Sequence, residues 1–221
     1  MENIKRKVGR QRTATMYNMD ICNNVKFTKD FYEMPIIKND NFIPQKLVGF
    51  NYATTQRAKA DCNTGVHFYL DDFLFERIWN KPDLYVNILK KYGCVFSPDF
   101  SLYTDMKTPQ QIYNTFRSRL IGAHLQSQGI KVIPTISWSG VESFDYCFLG
   151  IPKGSIVSIS TIGINRNKYR YLLWSNGVTE MIKRINPQAI LIYGNKIEYD
   201  FKGIDTFYYQ NEMVERFNNL K

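Results

Sequence analysis

From Leu47 onward, short apolar runs rich in β-branched residues alternate with longer segments whose apolar residues recur at helical spacing. This alternation is typical of a parallel sheet whose strands are connected by helices. Continuous apolar runs favour strands that helices cover on both faces. We predict seven strands, the last less clearly marked than the others, over residues 47–53, 66–70, 94–97, 131–137, 155–161, 189–193 and 204–209.

Three helical segments separate these strands. The best-marked one is predicted to begin at a capping box formed by Thr108 and Gln111 and to end before Gly129. Its buried stripe leaves Arg117 at the edge and places Arg119 on the outer side. The other two segments are each predicted to break once: residues 73–92 at Pro82, and residues 166–185 around Asn176 and Gly177.

These elements predict a single α/β domain over residues 46–221, preceded by a basic, partly irregular arm over residues 1–45. Polar residues follow nearly every strand. This favours a small or incomplete barrel of the TIM type with about seven mostly parallel strands, because an open doubly wound sheet needs such residues only at its switch point. The order of elements does not separate the two architectures, so the open sheet stays the alternative.

Composition narrows the class of protein. A hydrophobic fraction of 44% with 22% charged residues is typical of one folded domain and excludes a disordered chain. No apolar run approaches the roughly 20 residues that cross a bilayer, and no export signal follows the charged N-terminus. The four cysteines are scattered without a CxxC pair, which favours reduced thiols. We therefore expect a cytoplasmic protein with no membrane partner.

Carboxylates follow two neighbouring strands. Parallel strands bring their carboxyl ends to one edge, where ligands bind, so Asp71 and Asp99 are the candidate catalytic residues. Together with Asp72 they are also the candidate metal ligands. Whether the protein uses a cofactor stays open, and Mg²⁺ and Mn²⁺ are the candidates. The alternatives are a helix N-cap for Asp72 and a side chain bonded to its own turn for Asp99.

Other polar or aromatic side chains near the strand ends are candidates for binding substrate: Trp138, Arg117, Asn51, Ser101, Thr161 and Asn195. Trp138 follows the fourth strand, where an indole can stack on a base or a sugar; a tryptophan packed under a loop is the alternative. Arg117 is suited to an anionic ligand, or else to a salt bridge.

The chain is basic, with 29 lysine and arginine residues against 20 aspartate and glutamate residues and a net charge of +9. The charge is densest in the first dozen residues, which contain Lys5, Arg6, Lys7, Arg10 and Arg12. Such a cluster binds nucleic acid by releasing counterions from phosphates, although a solvated terminus has the same composition. The chain lacks the motifs of P-loop NTPases, Rossmann dehydrogenases, zincins and α/β-hydrolases.

Several short motifs together resemble a known family: GVHFYLDD (65–72), PDFSLYTDM (98–106), QIYN (111–114), VIP (132–134), SW (137–138), SFD (143–145) and GIPK (150–153). The family occurs in bacteria, phages and mobile elements and is known only as a domain of unknown function. The resemblance covers residues 47–194 and leaves out the arm and the C-terminal segment. It implies a phage or mobile-element setting and transfers no reaction.

These observations leave two main functional hypotheses. The first is a nucleic-acid-binding or nucleic-acid-modifying protein, hydrolytic or base-directed, that acts at the carboxyl ends of the strands. The second is a non-catalytic protein of a phage or mobile element that occupies a host protein or sequesters a small nucleotide. A glycoside hydrolase with paired carboxylates is a third, which the missing export signal disfavours. Whether the protein is an enzyme, and its oligomeric state, stay open.

Overall fold

A computed structural model describes residues 9–55, 58–164 and 167–210 of the chain. Within these ranges the strands are β1 (Lys46–Gly49), β2 (Thr64–His67), β3 (Cys94–Phe96), β4 (Val132–Ile133), β5 (Ile156–Ser160), β6 (Ala189–Tyr193) and β7 (Asp205–Tyr209). The α-helices are α1 (Gly9–Met16), α2 (Met19–Cys22), α3 (Phe50–Ala53), α4 (Glu76–Asn80), α5 (Asp83–Leu89), α6 (Thr108–Ser127) and α7 (Lys168–Ile185). Two 3-10 turns, Asp72–Leu74 and Val141–Asp145, complete the described elements. None of these helices is long and apolar enough to cross a membrane.

All the strand pairs are parallel, and the strands follow one another in chain order. β1 to β4 form one ladder and β5 to β7 another. A bridge between Thr135 and Ser158 joins them, with the Ile136 N–H donating to the Ser158 carbonyl at 2.8 Å and the Ser158 N–H donating to the Pro134 carbonyl at 2.9 Å. The described strand order therefore lacks the reversal that defines a doubly wound sheet.

The sheet curls without closing. Tyr69, just beyond β2, and inward-facing side chains of β3 to β6 form one buried cluster, against which Leu47 of β1 and Tyr209 of β7 pack. Across the gap, the Tyr209 hydroxyl donates to the Pro44 carbonyl at 2.7 Å, but among the described residues no ladder joins β7 to β1. The prediction of an α/β fold with an incomplete parallel sheet is confirmed, and the sheet is open.

Helices and connecting segments cover the outer face of the sheet. Val66, Val95 and Val132 belong to one core cluster, and Val157 and Ile190 belong to another that includes side chains of α7. Both faces of the central strands are therefore buried, as their continuous apolar sequences predict. This arrangement leaves the two ends of the strands as the places where polar side chains can gather.

Two predicted strands are shorter in the structure by three residues or more. The first ends at Gly49, and residues 50–53 form helix α3 instead. The fourth keeps regular pairing only at Val132–Ile133, because Pro134 has no N–H to donate to a ladder. Beyond Pro134 a single bridge at Thr135 remains.

The helices differ from prediction at two points. Helix α6 is capped by Lys107, whose N–H donates to Gln110 Oε1 at 3.1 Å, so Thr108 and Gln111 do not form the capping box. Helix α7 runs unbroken through Asn176 and Gly177. The break at Pro82 and the helix end before Gly129, whose φ is +84°, are as predicted.

The region predicted as an arm has two parts. Helix α1 buries none of its residues. Further along, Met34 and Ile37 are both 0% exposed, and the Ile37 N–H donates to the Gly150 carbonyl at 3.0 Å. Residues 27–44 therefore pack onto the body of the protein even though they contain no regular element.

Candidate functional site

A cavity of about 760 Å³ opens at the carboxyl ends of the strands, and we call it the first cavity. Each of the first six strands brings at least one side chain to its lining, either from its last residue or from the segment that follows. In chain order these include Asn51, Asp71, Asp99, Ser137, Ser160 and Tyr193. This is the edge at which the sequence predicts ligand binding.

Stacked aromatic rings line the buried part of the first cavity. The rings of Tyr69 and Tyr193 lie 4.9 Å apart with an angle of 11° between their planes, and the His67 ring lies 4.3 Å from Tyr193. The Tyr69 hydroxyl shares a hydrogen bond with the Ser158 hydroxyl, and burial raises the pKa of Tyr69 well above its ordinary value. All three side chains are buried and pack on one another, so they form a closely packed inner wall of the first cavity.

His67 is held in a defined state within this group. Its Nδ1 accepts the Tyr69 N–H at 3.1 Å, so the ring proton lies on Nε2. Burial lowers the pKa of His67 to about 3, which keeps the imidazole neutral at physiological pH. A neutral ring is suited to packing and to hydrogen bonding, and it carries no charge into the cavity.

The surroundings of Asp99 raise the pKa of its carboxyl group. Asp99 is partly buried, and Ser137 Oγ donates to its Oδ1. Burial raises the pKa of Asp99 from 3.8 to about 6, with a further rise from the charge of Asp72; the Ser137 hydrogen bond and the charge of Arg119 act in the opposite direction. A carboxyl group with a pKa near 6 can both take up and release a proton near neutral pH.

Arg119 lies behind Asp99 and is only 2% exposed. Its guanidinium donates to three backbone carbonyls, those of Leu149 at 3.1 Å, Thr135 at 2.9 Å and Cys147 at 2.7 Å. Burial lowers the pKa of Arg119 to about 10, so it stays charged at neutral pH. The predicted position on the outer side of α6 is therefore wrong, because this part of α6 is buried on both sides.

The other two predicted metal ligands have different surroundings. Asp72 accepts hydrogen bonds from the Ser101 N–H at 3.2 Å and from Ser101 Oγ at 2.8 Å, which ties two strand-end loops together. Asp71 is exposed at the edge of the first cavity. In residues 9–55, 58–164 and 167–210, no three His, Cys, Asp or Glu side chains form a group that could hold a metal ion. The three aspartates thus do not gather into the predicted metal site.

Three of the six predicted binding residues, Asn51, Ser101 and Trp138, line the first cavity. Arg117 does not, since its Nη1 forms an ion pair with Glu76 at 2.7 Å and its guanidinium lies 3.8 Å from the centre of the Phe100 ring. The salt-bridge alternative is therefore the one observed.

Thr161 and Asn195 also lie outside the lining of the first cavity. The Thr161 hydroxyl donates to the Asn195 carbonyl at 2.8 Å, which joins the loops that follow β5 and β6. Both residues therefore support the carboxyl edge of the sheet from outside the cavity.

Trp138 packs against helix α7 and lines the cavity with the rest of its surface. Its Nε1–H donates to the Leu173 carbonyl at 3.2 Å. A Cβ atom at position 177 would lie 2.0 Å from the indole, so only glycine leaves room for the ring. The glycine that the sequence pattern interprets as a helix break is instead the position where Trp138 meets the helix.

A second cavity of about 560 Å³ adjoins the first. The two share Tyr103, Ser137, Trp138 and Ser160 among their lining residues. Beyond this common wall, the second cavity is lined by the start of α7, including Asn167, Tyr169, Arg170 and Trp174. Asn167 caps the helix by accepting the Arg170 N–H at 2.9 Å.

Sequence reasoning missed Tyr69, Tyr193 and Ser160 as lining residues. They lie within the last two residues of predicted strands, whereas the candidate site residues were sought after the strand ends. The signal that could have found them is the alternation of side chains along a strand, because the last inward-facing residue of each parallel strand lies next to the carboxyl edge.

The basic arm lies partly outside the described residues, since Lys5, Arg6 and Lys7 precede residue 9. Arg10 and Arg12 are exposed on α1. The cysteines Cys22, Cys62, Cys94 and Cys147 are all free thiols, and the last two are buried.

Residues 27–211 match a family described as "Domain of unknown function (DUF4417)". The chain belongs to this family. The match confirms the resemblance found in the sequence motifs and extends it beyond residue 194 and into the packed segment at residues 27–44.

Two phage proteins are similar to the chain. It is 41% identical over 163 residues to the "Gene 1 protein" of Mycobacterium phage L5, across 74% of this chain and 71% of that protein. It is 37% identical over 163 residues to the "Gene 1 protein" of Mycobacterium phage D29, across 74% of this chain and 60% of that protein. No solved structure matches the chain. Neither name states an activity.

Proposed function

We propose that the protein binds a base of a nucleic acid or nucleotide in the first cavity and acts on that ligand with Asp99 as the acid–base group. The observation that carries this proposal is the position of Asp99, a partly buried carboxylate beside stacked aromatic rings at the carboxyl edge of a parallel sheet. Asp71, at the exposed edge of the same cavity, is the second carboxylate within reach of a bound ligand.

The lining of the first cavity suits a base. Stacking of a base on an aromatic side chain contributes about 1–3 kcal/mol, and the exposed Tyr52 and Tyr103 and the half-buried Trp138 supply such surfaces. Asn51 and Ser101 add donors and acceptors for the polar edge of a base or for sugar hydroxyls. The net charge of +9 supports attraction of a polyanion from solution.

Asp99 supports a hydrolytic or base-directed reaction through proton transfer. At pH 7 a carboxyl group with a pKa of about 6 is mostly ionised and can accept a proton from water or from a base N–H. Once protonated, it can return that proton to a leaving group. Ser137 holds one carboxylate oxygen in place, which leaves the other available to the ligand.

A specific observation also favours the alternative, a protein that binds a nucleotide and catalyses no reaction. Among the described residues that line the first cavity, aromatic and hydroxyl side chains outnumber carboxylates, of which there are two, Asp71 and Asp99. Such a lining can sequester a nucleotide by stacking and hydrogen bonding alone. The two candidates differ in one measurable property, which is turnover.

The test is incubation of the full-length protein with single-stranded DNA, single-stranded RNA and mixed nucleoside monophosphates, with and without Mg²⁺ or Mn²⁺, followed by mass spectrometry of the products. We expect a product that the Asp99→Asn variant forms at least about 100-fold more slowly while still binding the ligand. Asp105→Asn, at an exposed aspartate outside both cavities, is the matched control and should keep full activity. Stoichiometric binding with no product would identify the binding protein, and absence of binding would reject both candidates.

The basic arm is the second part of the proposal. Clustered lysine and arginine residues release counterions from a bound polyanion, so the binding constant should fall as salt rises. Anisotropy of a labelled oligonucleotide across a salt series should show a shallower log–log slope when residues 1–12 are deleted. An unchanged slope would show that the arm does not contact the nucleic acid, and the proposal for the first cavity would still stand.

A further inference from the structure

We propose that the second cavity holds the nucleotide next to the one in the first cavity, so that the ligand is a single-stranded nucleic acid rather than a free nucleotide. This inference rests on the proposed function of the first cavity and names its substrate class.

The two cavities form a continuous surface. They meet along a wall that contains Tyr103, Trp138 and Ser160, each of which contributes to both. Their volumes, about 760 Å³ and 560 Å³, each lie within the roughly 300–1,000 Å³ that one small-molecule ligand occupies in proteins. A free nucleotide would therefore fill one cavity and leave the other without an occupant, whereas two linked nucleotides fill both.

Exposed aromatic side chains continue from the first cavity into the second. Tyr103, on the shared wall, is 64% exposed, and Tyr169, in the first turn of α7, is 63% exposed. Successive bases of a single strand stack on such platforms, and the stacking tolerates any base because every base has a flat face. A site for one free nucleotide instead buries most of its ligand, which exposed rings at an open edge do not do.

The charges of the two cavities fix how a strand would lie. Asp71 and Asp99 line the first cavity, whereas Arg170 lines the second. Arg170 Nη1 lies 3.5 Å from the Gly163 carbonyl at the loop that precedes α7, and a guanidinium offers five N–H donors. A phosphate is repelled by the carboxylates and attracted by the arginine. The base thus occupies the first cavity, and the linking phosphate lies toward α7.

The experiment measures binding of the full chain to a nested series with one sequence: a nucleoside monophosphate, a dinucleotide and a tetranucleotide, each as DNA and as RNA. We expect the dinucleotide to bind about tenfold or more tightly than the monophosphate, the gain typical of one further stacked base. Tyr169→Ala should remove most of this gain. Because that substitution changes no charge, the loss would not reflect the additional phosphate.

Two further variants complete the design. Tyr52→Ala, in the first cavity, should weaken binding of every member of the series. Tyr17→Ala removes another exposed tyrosine, 53% exposed and outside both cavities, and should change none of them. Equal affinity for the monophosphate and the tetranucleotide, or a gain that survives Tyr169→Ala, would overturn the inference and leave the proposed function standing. If no member of the series binds, the proposed function falls together with it.

Discussion

The two adjoining cavities are built in different ways. The first is lined by side chains that the sheet holds in place: Tyr69 is bonded to Ser158, and Asp99 is bonded to Ser137 in front of the buried Arg119. The second is lined by loop residues and by the start of α7, where Tyr169 extends into solvent. Chemistry requires groups fixed to within a fraction of an ångström, whereas stacking on a flexible strand does not. The difference between the cavities thus matches the division between reaction and binding in our proposals.

The difference follows from the fold. Side chains at the ends of parallel strands inherit the rigidity of the ladders, and those at the start of a helix after a loop do not. Trp138 belongs to both regions, because it follows β4, packs on α7 and lines both cavities. We therefore expect substitutions of the buried residues that support the first cavity to change stability far more than substitutions at exposed positions.

Removal of the Arg119 guanidinium should have the largest effect. Arg119→Met keeps much of the side-chain volume but leaves the carbonyls of Thr135, Cys147 and Leu149 without these donors and Asp99 without a nearby positive charge. Loss of one member of a buried charged group typically costs about 3–5 kcal/mol, so we expect a reduction of that size in the free energy of unfolding. Urea denaturation followed by circular dichroism measures it.

The matched control is Arg12→Met on α1, a helix that buries none of its residues. It should change the free energy of unfolding by less than about 0.5 kcal/mol. Equal effects of the two substitutions would show that the first cavity has no rigid support behind Asp99.

Substitution of Gly177 should have the next largest effect. In Gly177→Ala the new Cβ would lie 2.0 Å from the indole of Trp138, so either the ring or helix α7 must move. Overpacking of this kind costs about 1–3 kcal/mol and outweighs the better helix propensity of alanine. We expect lower stability and a shift in tryptophan fluorescence as the Trp138 bond to the Leu173 carbonyl is lost.

Gly9→Ala serves as the control for this substitution, because a Cβ at position 9 meets nothing within 4 Å. It should leave both stability and fluorescence unchanged. If Gly177→Ala behaved in the same way, Trp138 would not be held between the two cavities, and their common wall would be as adaptable as the edge formed by Tyr169.

The sequence predicts those features that depend on neighbours along the chain. Asp99 and Trp138 are found because each follows a recognisable strand, and the carboxyl edge of a parallel sheet is where loops gather. Arg119 is missed because the three carbonyls that accept its hydrogen bonds lie 16 to 30 residues away. Gly177 is misinterpreted for the same reason, since glycine usually weakens a helix and only its contact with Trp138 explains its presence.

The change in the stability of Asp99→Asn with pH should be smaller than the effects of Arg119→Met and Gly177→Ala. It is also the most direct comparison of the two cavities. Because the pKa of Asp99 is raised to about 6 in the folded protein, the folded state holds a proton that the unfolded state has already released above about pH 4. The ionised carboxylate thus lowers stability as pH rises through 6, and asparagine avoids this loss while it can still accept the Ser137 hydrogen bond. The stability of the variant relative to the original protein should therefore increase between pH 4.5 and 7.5, by on the order of 1–2 kcal/mol.

His67, whose pKa is lowered to about 3, has the opposite dependence, with stability lost as pH falls below its unfolded pKa of about 6.5. It is present in both proteins, so its contribution cancels in the difference between them. Urea denaturation at several pH values gives that difference. A stability difference that stayed constant with pH would mean that Asp99 is as accessible to water as an exposed side chain of the second cavity such as Tyr169. The argument for acid–base chemistry would then be no stronger for the first cavity than for the second.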